Sequence, residues 1–486
     1  MDIVLADFAA NGITTNPANG TVLSAAAHDG KPVELIYNSH TASTDNLTVN
    51  AVTPDPPSSR SKSSKPAAGT GGEILINGKA ETAATATTAR EGDKTVISVV
   101  ADDKKVAEKL EQEGSNAIVT ILATSGADVI DGVLSGQTVK DMAGKDAVLE
   151  IRTGQVTYTL PAAQINIDAV AEQIGKDVKL KDIMVSIRIA KPAEDIVAIV
   201  EDTADKNNYQ LVVSPIEFEI TCSSGNRIVE VSRFNAYVER LIAIPEGVDP
   251  SRITTAVVLN ADGSFSHVPT VITMIDGKYY ARINSLTNSV YAVIHSPKTF
   301  QDTAGHWAEQ GINDMASRLI ISGVGDGLFE PERSITKAEF AAGMVRALGL
   351  GSEEYEHDLA DVAADRWDHR YISTAAHYGL VRGRDDGTFG PEGSITRQEA
   401  MAIIARSMDI TGLGEGLGTD SSAVLASFGD RDAVSGWALD SVAKCVKTGI
   451  VTGRDNGRIA PLDSITRAEA AIMVRRLLIS SGLINK

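Results

Sequence analysis

Three short segments in the last part of the chain combine a hydroxyl, a cation and an acid in one order: Thr336-Lys337-Ala338-Glu339, Thr396-Arg397-Gln398-Glu399 and Thr466-Arg467-Ala468-Glu469. The Thr and Glu have a structural use. A Thr followed three residues later by Glu is the signature of a capping box, in which each side chain accepts a hydrogen bond from an unpaired N–H at a helix start. The cation has no such use, because in a first helical turn it opposes the helix dipole, typically by about 0.3–1 kcal/mol. Helix N-termini attract anions through their free N–H groups, so Lys337, Arg397 and Arg467 would each add to a site for a carboxylate or phosphate. The competing explanation is a weak surface ion pair with a neighbouring Asp or Glu. Repetition at one position favours the ligand.

Each segment sits inside a larger repeat. Trp307, Trp367 and Trp437 precede Thr336, Thr396 and Thr466 by the same 29 residues, and Ser-Ile stands immediately before every one of these threonines. Between them recur Gly323, Gly383 and Gly453, then Gly327, Gly387 and Gly457, then Pro331, Pro391 and Pro461. A Trp that opens an amphipathic helix reads equally as core or as contact surface. Its flat ring suits the C–H faces of sugars, and its N–H needs a partner. Asp302, Asp361 and Asp430 lie five to seven residues ahead of the tryptophans, where they could accept hydrogen bonds from sugar hydroxyls or cap the following helix.

The elements that must position these groups read as helix, Gly-rich loop, helix in each block. Ile312, Met315, Ala316 and Leu319, and Leu439, Val442, Ala443 and Val446, fall at i, i+3, i+4 and i+7 and make one face of a first helix apolar. Ala341, Met344, Val345 and Leu348, with Met401, Ile404, Ala405 and Met408, do the same for the second. Two short helices cannot bury such stripes alone, so the three blocks are expected to pack as one unit.

Ahead of the blocks the chain divides by composition. Residues 1–51 carry short alternating runs between Asn-Gly and Asp-Gly turns, as expected for the tail of a β-sandwich-like module, and residues 52–72 are a Pro/Ser/Lys/Gly linker. Residues 73–298 are expected to be a β-rich α+β spacer of one or two modules. Strand-like runs at 73–76, 95–100 and 117–122 alternate with helical segments at 103–112 and 162–174. Two successive hairpins are expected around Ala261-Asp262-Gly263 and Asp276-Gly277. With 486 residues the chain is too long for a single core. No stretch approaches the roughly 20 apolar residues of a spanning helix, so no membrane insertion is expected. A formal charge of −19 argues against a nucleic-acid partner. Cys222 and Cys445 are too far apart to suggest a disulfide framework.

The Trp, Gly-rich loop and Thr-Arg-Ala-Glu signature, found three times in register over about residues 299–486, resembles S-layer homology domains, which occur in triplets at an end of Gram-positive surface proteins. The repeats would span 299–357, 358–424 and 425–486. The resemblance implies an all-α pseudo-threefold bundle whose grooves bind secondary cell-wall polysaccharide linked to peptidoglycan, often pyruvylated. It places the carboxylate on Lys337, Arg397 and Arg467, with Asp302, Asp361, Asp430 and the three tryptophans lining the grooves. Lys337 stands where the pattern has Arg, and so would act as a point charge. The third loop lacks the Phe present at Phe329 and Phe389. Residues from about 117 to 298 further resemble the region that precedes such triplets in surface proteins of Paenibacillus-like bacteria.

The expected function is therefore non-covalent anchoring of a bacterial surface protein to the cell wall, in an extracellular S-layer setting with self-association in a lattice as a further partner. The start of the chain carries no secretory signal, so this is expected to be the C-terminal part of a longer product. The alternative is the spacer and anchor of a surface glycan-degrading enzyme whose catalytic domain lies upstream. No catalytic constellation, cofactor or metal site is expected here. Asp385-Asp386-Gly387 and Asp455-Asn456-Gly457 lack the glutamate spacing of a calcium loop, and His306, His369 and His377 fall short of a zinc pattern.

Overall fold

The computed structural model describes residues 14–16, 34–37, 40–43 and 72–486, apart from 124, 125, 176, 419, 455 and 456. The chain forms two units, Met1–Ala67 and Ala68–Lys486. In the first, Thr14–Asn16, Glu34–Tyr37 and His40–Ser43 pair antiparallel, with Ile36 opposite Thr14 on one side and Thr41 on the other. The remainder of the expected 1–51 module and residues 52–71 of the expected linker lie outside the described residues.

In the second unit, residues 72–298 build two large mixed sheets. One has eight strands in the order Thr270–Ile275, Lys278–Thr287, Arg233–Ala243, Val156–Pro161, Val148–Arg152, Ile118–Ala123, Gly72–Ile76 and Lys79–Glu81. The other has nine: Phe265–Val268, Thr255–Leu259, Val290–His295, Gln210–Ser224, Met184–Ala190, Val129–Ser135, Lys94–Ala101 and Ala84–Glu91 in sequence across the sheet, with Arg227–Glu230 paired to Gln210–Ser224. Each contains one parallel pair, Ile118–Ala123 with Val148–Arg152 and Lys94–Ala101 with Val129–Ser135, among antiparallel neighbours.

Period-two burial shows why these runs are strands. Val156, Tyr158 and Leu160 point inward while the residues between them stay partly exposed. The two sheets contribute to one core, in which Ile74, Ile121, Ile151 and Tyr158 of the first meet Ile97, Ile187, Phe218 and Ile220 of the second. Helices α1 (Asp103–Glu113), α2 (Gly136–Ala143) and α3 (Ile167–Ile174) add Val106, Leu110, Val139, Met142, Val170 and Ile174 to it. Helix α4 (Glu194–Lys206) buries Val200 against Val257 and Ile294. Both expected hairpins are present, and at the second Asp276 and Gly277 take φ of +50° and +78°, the left-handed pair that a tight hairpin turn requires.

The repeat blocks hold α5 (Glu309–Ser317), α6 (Lys337–Ala347), α7 (His369–His377), α8 (Arg397–Thr411), α9 (Ser421–Leu425), α10 (Leu439–Lys447) and α11 (Arg467–Ser480). The expected fold class, β-rich α+β modules followed by an all-α pseudo-threefold bundle, is corrected. The region ahead of the blocks is β-rich as expected, in the form of two large mixed sheets with a common core, but no all-α pseudo-threefold bundle follows it. The blocks are not purely helical, because the extended residues before α6, α8 and α11 join by antiparallel bridges, Ser334 with Thr466, Thr336 with Ser394 and Thr396 with Ser464. Their N–H and C=O groups would otherwise be left unpaired, and they are satisfied in a closed cycle: Ile335 N to Ile465 O at 3.1 Å, Ile465 N to Ile395 O at 3.2 Å and Ile395 N to Ile335 O at 3.1 Å. Finally, the second helices are not one-sided. Phe340, Ala341, Ala342, Met344 and Val345 of α6 are all buried, which marks a helix enclosed by its neighbours.

The blocks also pack on the sheets. Leu286 joins their core, and the Tyr237 hydroxyl donates to Leu348 O at 2.7 Å. Asn485 pairs through its side chain with both N and O of Ile272 at 2.7 and 3.0 Å, which covers the edge strand of the eight-stranded sheet.

The closeness of the two sheets is set by Gly132. A Cβ there would lie 2.7 Å from Ile121 Cδ1 and 3.0 Å from Ile151 Cδ1, both in the opposite sheet. Gly132→Ala should therefore cost about 1–3 kcal/mol of unfolding free energy by overpacking, measured by denaturant titration. An unchanged midpoint would show that the sheets can separate freely at this point.

Candidate functional site

All three Thr–Glu pairs form complete capping boxes. Glu339 N, Glu399 N and Glu469 N donate to the Thr336, Thr396 and Thr466 hydroxyls at 3.1, 3.4 and 3.2 Å, and Thr336 N, Thr396 N and Thr466 N donate back to the Glu carboxylates at 3.0, 2.8 and 3.0 Å. Each glutamate then takes a cation from a different block. Lys337 Nζ lies 2.6 Å from Glu399, an Arg397 terminal nitrogen 3.2 Å from Glu469, and an Arg467 terminal nitrogen 2.9 Å from Glu339. The side chains of these cations are only 14, 6 and 8 % exposed.

The dipole conflict noted in the sequence is therefore met inside the protein, by the carboxylate that caps the neighbouring block's helix. Arg467 goes further and donates to Phe329 O at 2.8 Å and Ser322 O at 2.6 Å, with its guanidinium 4.5 Å from the Phe329 ring centroid. Arg333 and Arg454 add second cations to Glu339 and Glu469.

A cleft nevertheless opens beside every one of these pairs. The first, about 430 Å³, lies between Ser322–Val324, α6, Trp367 and Arg467. The second, about 480 Å³, lies between Arg382–Asp385, α8, Trp437 and Lys337. The third, about 680 Å³, lies between Thr452–Arg454, α11, Trp307 and Arg397. Each cleft takes its loop and second helix from one block, its Trp from another and its buried cation from the remaining one. The sequence gives no hint of this exchange, because Trp and cation of the same block stand 30 residues apart yet serve different clefts.

The tryptophans are surface groups: Trp307, Trp367 and Trp437 are 64, 58 and 59 % exposed. Asp302, Asp361 and Asp430 have another engagement. Asp302 accepts from Phe329 N and Glu330 N at 2.9 and 2.6 Å, Asp361 from Phe389 N and Gly390 N at 2.7 Å each, and Asp430 from Ile459 N and Ala460 N at 2.8 Å each. They clamp the end of each Gly-rich loop and do not line the clefts. Burial works to raise their pKa values, but these N–H donors hold them below the ordinary aspartate value.

Sequence reasoning passed over further cations in the clefts. Arg346, Arg406 and Arg476 each stand ten residues after the capping threonine, a repeat as regular as the tryptophans. Arg384 and Arg454 occupy one matched loop position, which holds Val324 in the first block. Of the histidines, His306 Nε2 lies 2.7 Å from Glu332, and His357 and His369 face each other through their Nε2 atoms at 3.4 Å. Among the described residues no group of three or more His, Cys, Asp or Glu is placed to hold a metal, and no helix is long and apolar enough to cross a membrane.

The three glutamates predict a pH dependence. Burial alone would raise their pKa values, but the cations and the capping N–H groups hold them below the free value of 4.5. A folded value below the free one stabilises at pH above about 4.5, and that contribution disappears as pH falls through the folded value. The melting temperature should therefore drop as pH falls below about 4.5, and more gently in a Glu339→Gln/Glu399→Gln/Glu469→Gln variant. Parallel melting curves for the two proteins would remove these carboxylates from the acid sensitivity.

Residues 299–341, 359–401 and 427–471 match the S-layer homology domain. The amylopullulanase of Thermoanaerobacterium thermosulfurigenes is 28% identical over 373 residues, which cover 74% of this chain and 19% of the relative. S-layer protein EA1 of Bacillus anthracis is 29% identical over 193 residues, 38% of this chain and 21% of the relative. A cellulosome-anchoring protein of Acetivibrio thermocellus is 37% identical over 120 residues, 24% of this chain and 27% of the relative. The chain thus spans only 19 to 27% of the length of these relatives. The likeness to the amylopullulanase is longer than the blocks and reaches into the sheets. With three matched segments folded around three clefts, the C-terminal part of this chain carries three S-layer homology domains, a kind of module that implies cell-surface anchoring.

Proposed function

We propose that the chain holds a bacterial surface protein to the cell wall non-covalently, by binding an acidic, pyruvylated secondary cell-wall polysaccharide in the clefts between its S-layer homology domains. The observation that carries this reading is the pairing, three times over, of a Trp ring more than half exposed with a cation-lined cleft beside it. An exposed indole is a costly surface unless something flat and partly apolar covers it, and a sugar ring does so. A chain of charge −19 that concentrates arginine in these clefts is suited to an anionic glycan. The setting is extracellular, at the wall or in a surface layer, where copies of the protein could also associate. We assign binding, and no catalysis, to this chain.

A second form of the reading is favoured by the length of the amylopullulanase match: the sheets and clefts would be the spacer and anchor of a surface glycan-degrading enzyme. A hydrolase module in the complete gene product would establish that form, and its absence there would reject it.

The reading is tested by sedimenting the full chain with purified sacculi, untreated or stripped of wall-linked polysaccharide. Binding should be confined to the untreated walls, and equal binding to both would reject the proposal. Replacing Trp307, Trp367 and Trp437 together with Ala should weaken binding by about tenfold or more while changing unfolding free energy by less than about 1 kcal/mol, because the rings are already exposed. A stable triple variant with full binding would remove the tryptophans from the site.

A further inference from the structure

The three clefts are built alike, but their cations are not equally occupied. In the first, Arg467 donates to Glu339 and to two backbone carbonyls, and Arg346 lies 4.4 Å over the Tyr371 ring and donates to its hydroxyl at 3.2 Å. In the third, Arg454 donates to Glu469 through two nitrogens at 2.8 Å each and to Asp463 at 2.8 Å, while Arg397 shares Glu469 and Arg458 lies 3.6 Å from Asp430. Arg467, Arg397, Arg454 and Arg458 thus meet the protein's own acids, and each of these two clefts keeps one arginine without an ion pair among the described residues, Arg346 in the first and Arg476, which donates to Ile450 O at 3.3 Å, in the third.

The second cleft differs. Its acids are Glu399, taken up by Lys337 and the capping box, and Asp385. Against them stand Arg382, Arg384 and Arg406, none of which forms an ion pair among the described residues. Arg406 has one bond, to Leu380 O at 2.8 Å, and Arg384 has one long contact from its guanidinium, to the Thr388 hydroxyl at 3.4 Å. Arg382 and Arg384 are exposed on the loop. Burial, and then the charge of Arg382, hold Arg406 below the ordinary arginine value, so these two like charges act on each other across the cleft. Trp437 closes the same cleft with its ring more than half exposed.

We propose that this cleft is the one that reads the acidic group of the glycan, with Arg382, Arg384 and Arg406 contacting a sugar carboxylate and Trp437 covering the ring that bears it. The proposal rests on the polysaccharide-anchor reading and sharpens it. Guanidinium forks match a carboxylate through paired N–H donors, and an anion placed beside Arg382 and Arg406 relieves the repulsion between them. Lys337, Arg397 and Arg467 are then positioning residues that tie the blocks together. Their removal would expose the capping glutamates and loosen all three clefts, so they are poor reporters of ligand contact.

The test compares the full chain with Arg382→Ala/Arg384→Ala, both exposed positions, with the third-cleft variant Arg458→Ala, and with one control. The control is Arg90→Ala/Lys278→Ala, which removes the same charge as the second-cleft variant from exposed sites on the sheets. Binding to untreated and stripped sacculi is measured at several salt concentrations, with melting curves for each protein. The second-cleft variant should bind untreated walls about tenfold or more weakly and with a shallower salt dependence, Arg458→Ala should lose clearly less, the control should stay within about threefold of the parent, and all should melt alike. A second-cleft variant within about threefold of a parent that still distinguishes the two kinds of wall would overturn the assignment and leave the anchor reading standing. A loss of equal size in Arg458→Ala would also overturn it. A parent that binds stripped walls as well as untreated ones would fail the anchor reading first, and the assignment with it.

Discussion

The carboxylate of the capping-box glutamate is the point on which the repeat region turns. In each block it accepts the N–H of the capping threonine and so starts a helix, and its other oxygen accepts a cation from a second block. Half-buried charges are costly to desolvate unless paired and hydrogen-bonded, so the three pairs make sense only together. Remove one glutamate and a buried cation is left without its counter-charge. The short bridges between Ile335, Ile395 and Ile465 close the same cycle through the backbone.

This linkage explains why the clefts need three blocks. A loop, a tryptophan and a cation are present in every block, but each cleft takes one of these from each of three blocks. The aspartates complete the arrangement from beneath. By accepting two consecutive N–H groups, Asp302, Asp361 and Asp430 hold each loop against its own block and so fix the cleft wall.

The two sheets give the repeat blocks a broad base. Tyr237 and Leu286 reach from the eight-stranded sheet into the core of the blocks, and Asn485 from the last residues of the chain occupies the sheet's edge. A pull on the sheet region would therefore be carried to the blocks through packed side chains as well as along the backbone.

The amino-acid order by itself determined the local features. Thr followed by Glu at three residues makes a capping box wherever a helix follows, and Asp276-Gly277 makes a hairpin turn, because both rest on hydrogen bonds and φ angles within a few residues. The repeat was equally legible, since its matched Trp, Gly, Pro and Thr positions need no structure to be counted. Tertiary structure alone decided what the cations meet, which tryptophan faces which cation, and that the aspartates serve the loops. It also decided that extended residues before α6, α8 and α11 would bridge between blocks, and that residues 72–298 would share one core. These depend on which distant segments come within a few ångströms of one another, and helical or strand periodicity records only which way a side chain faces, never what it faces.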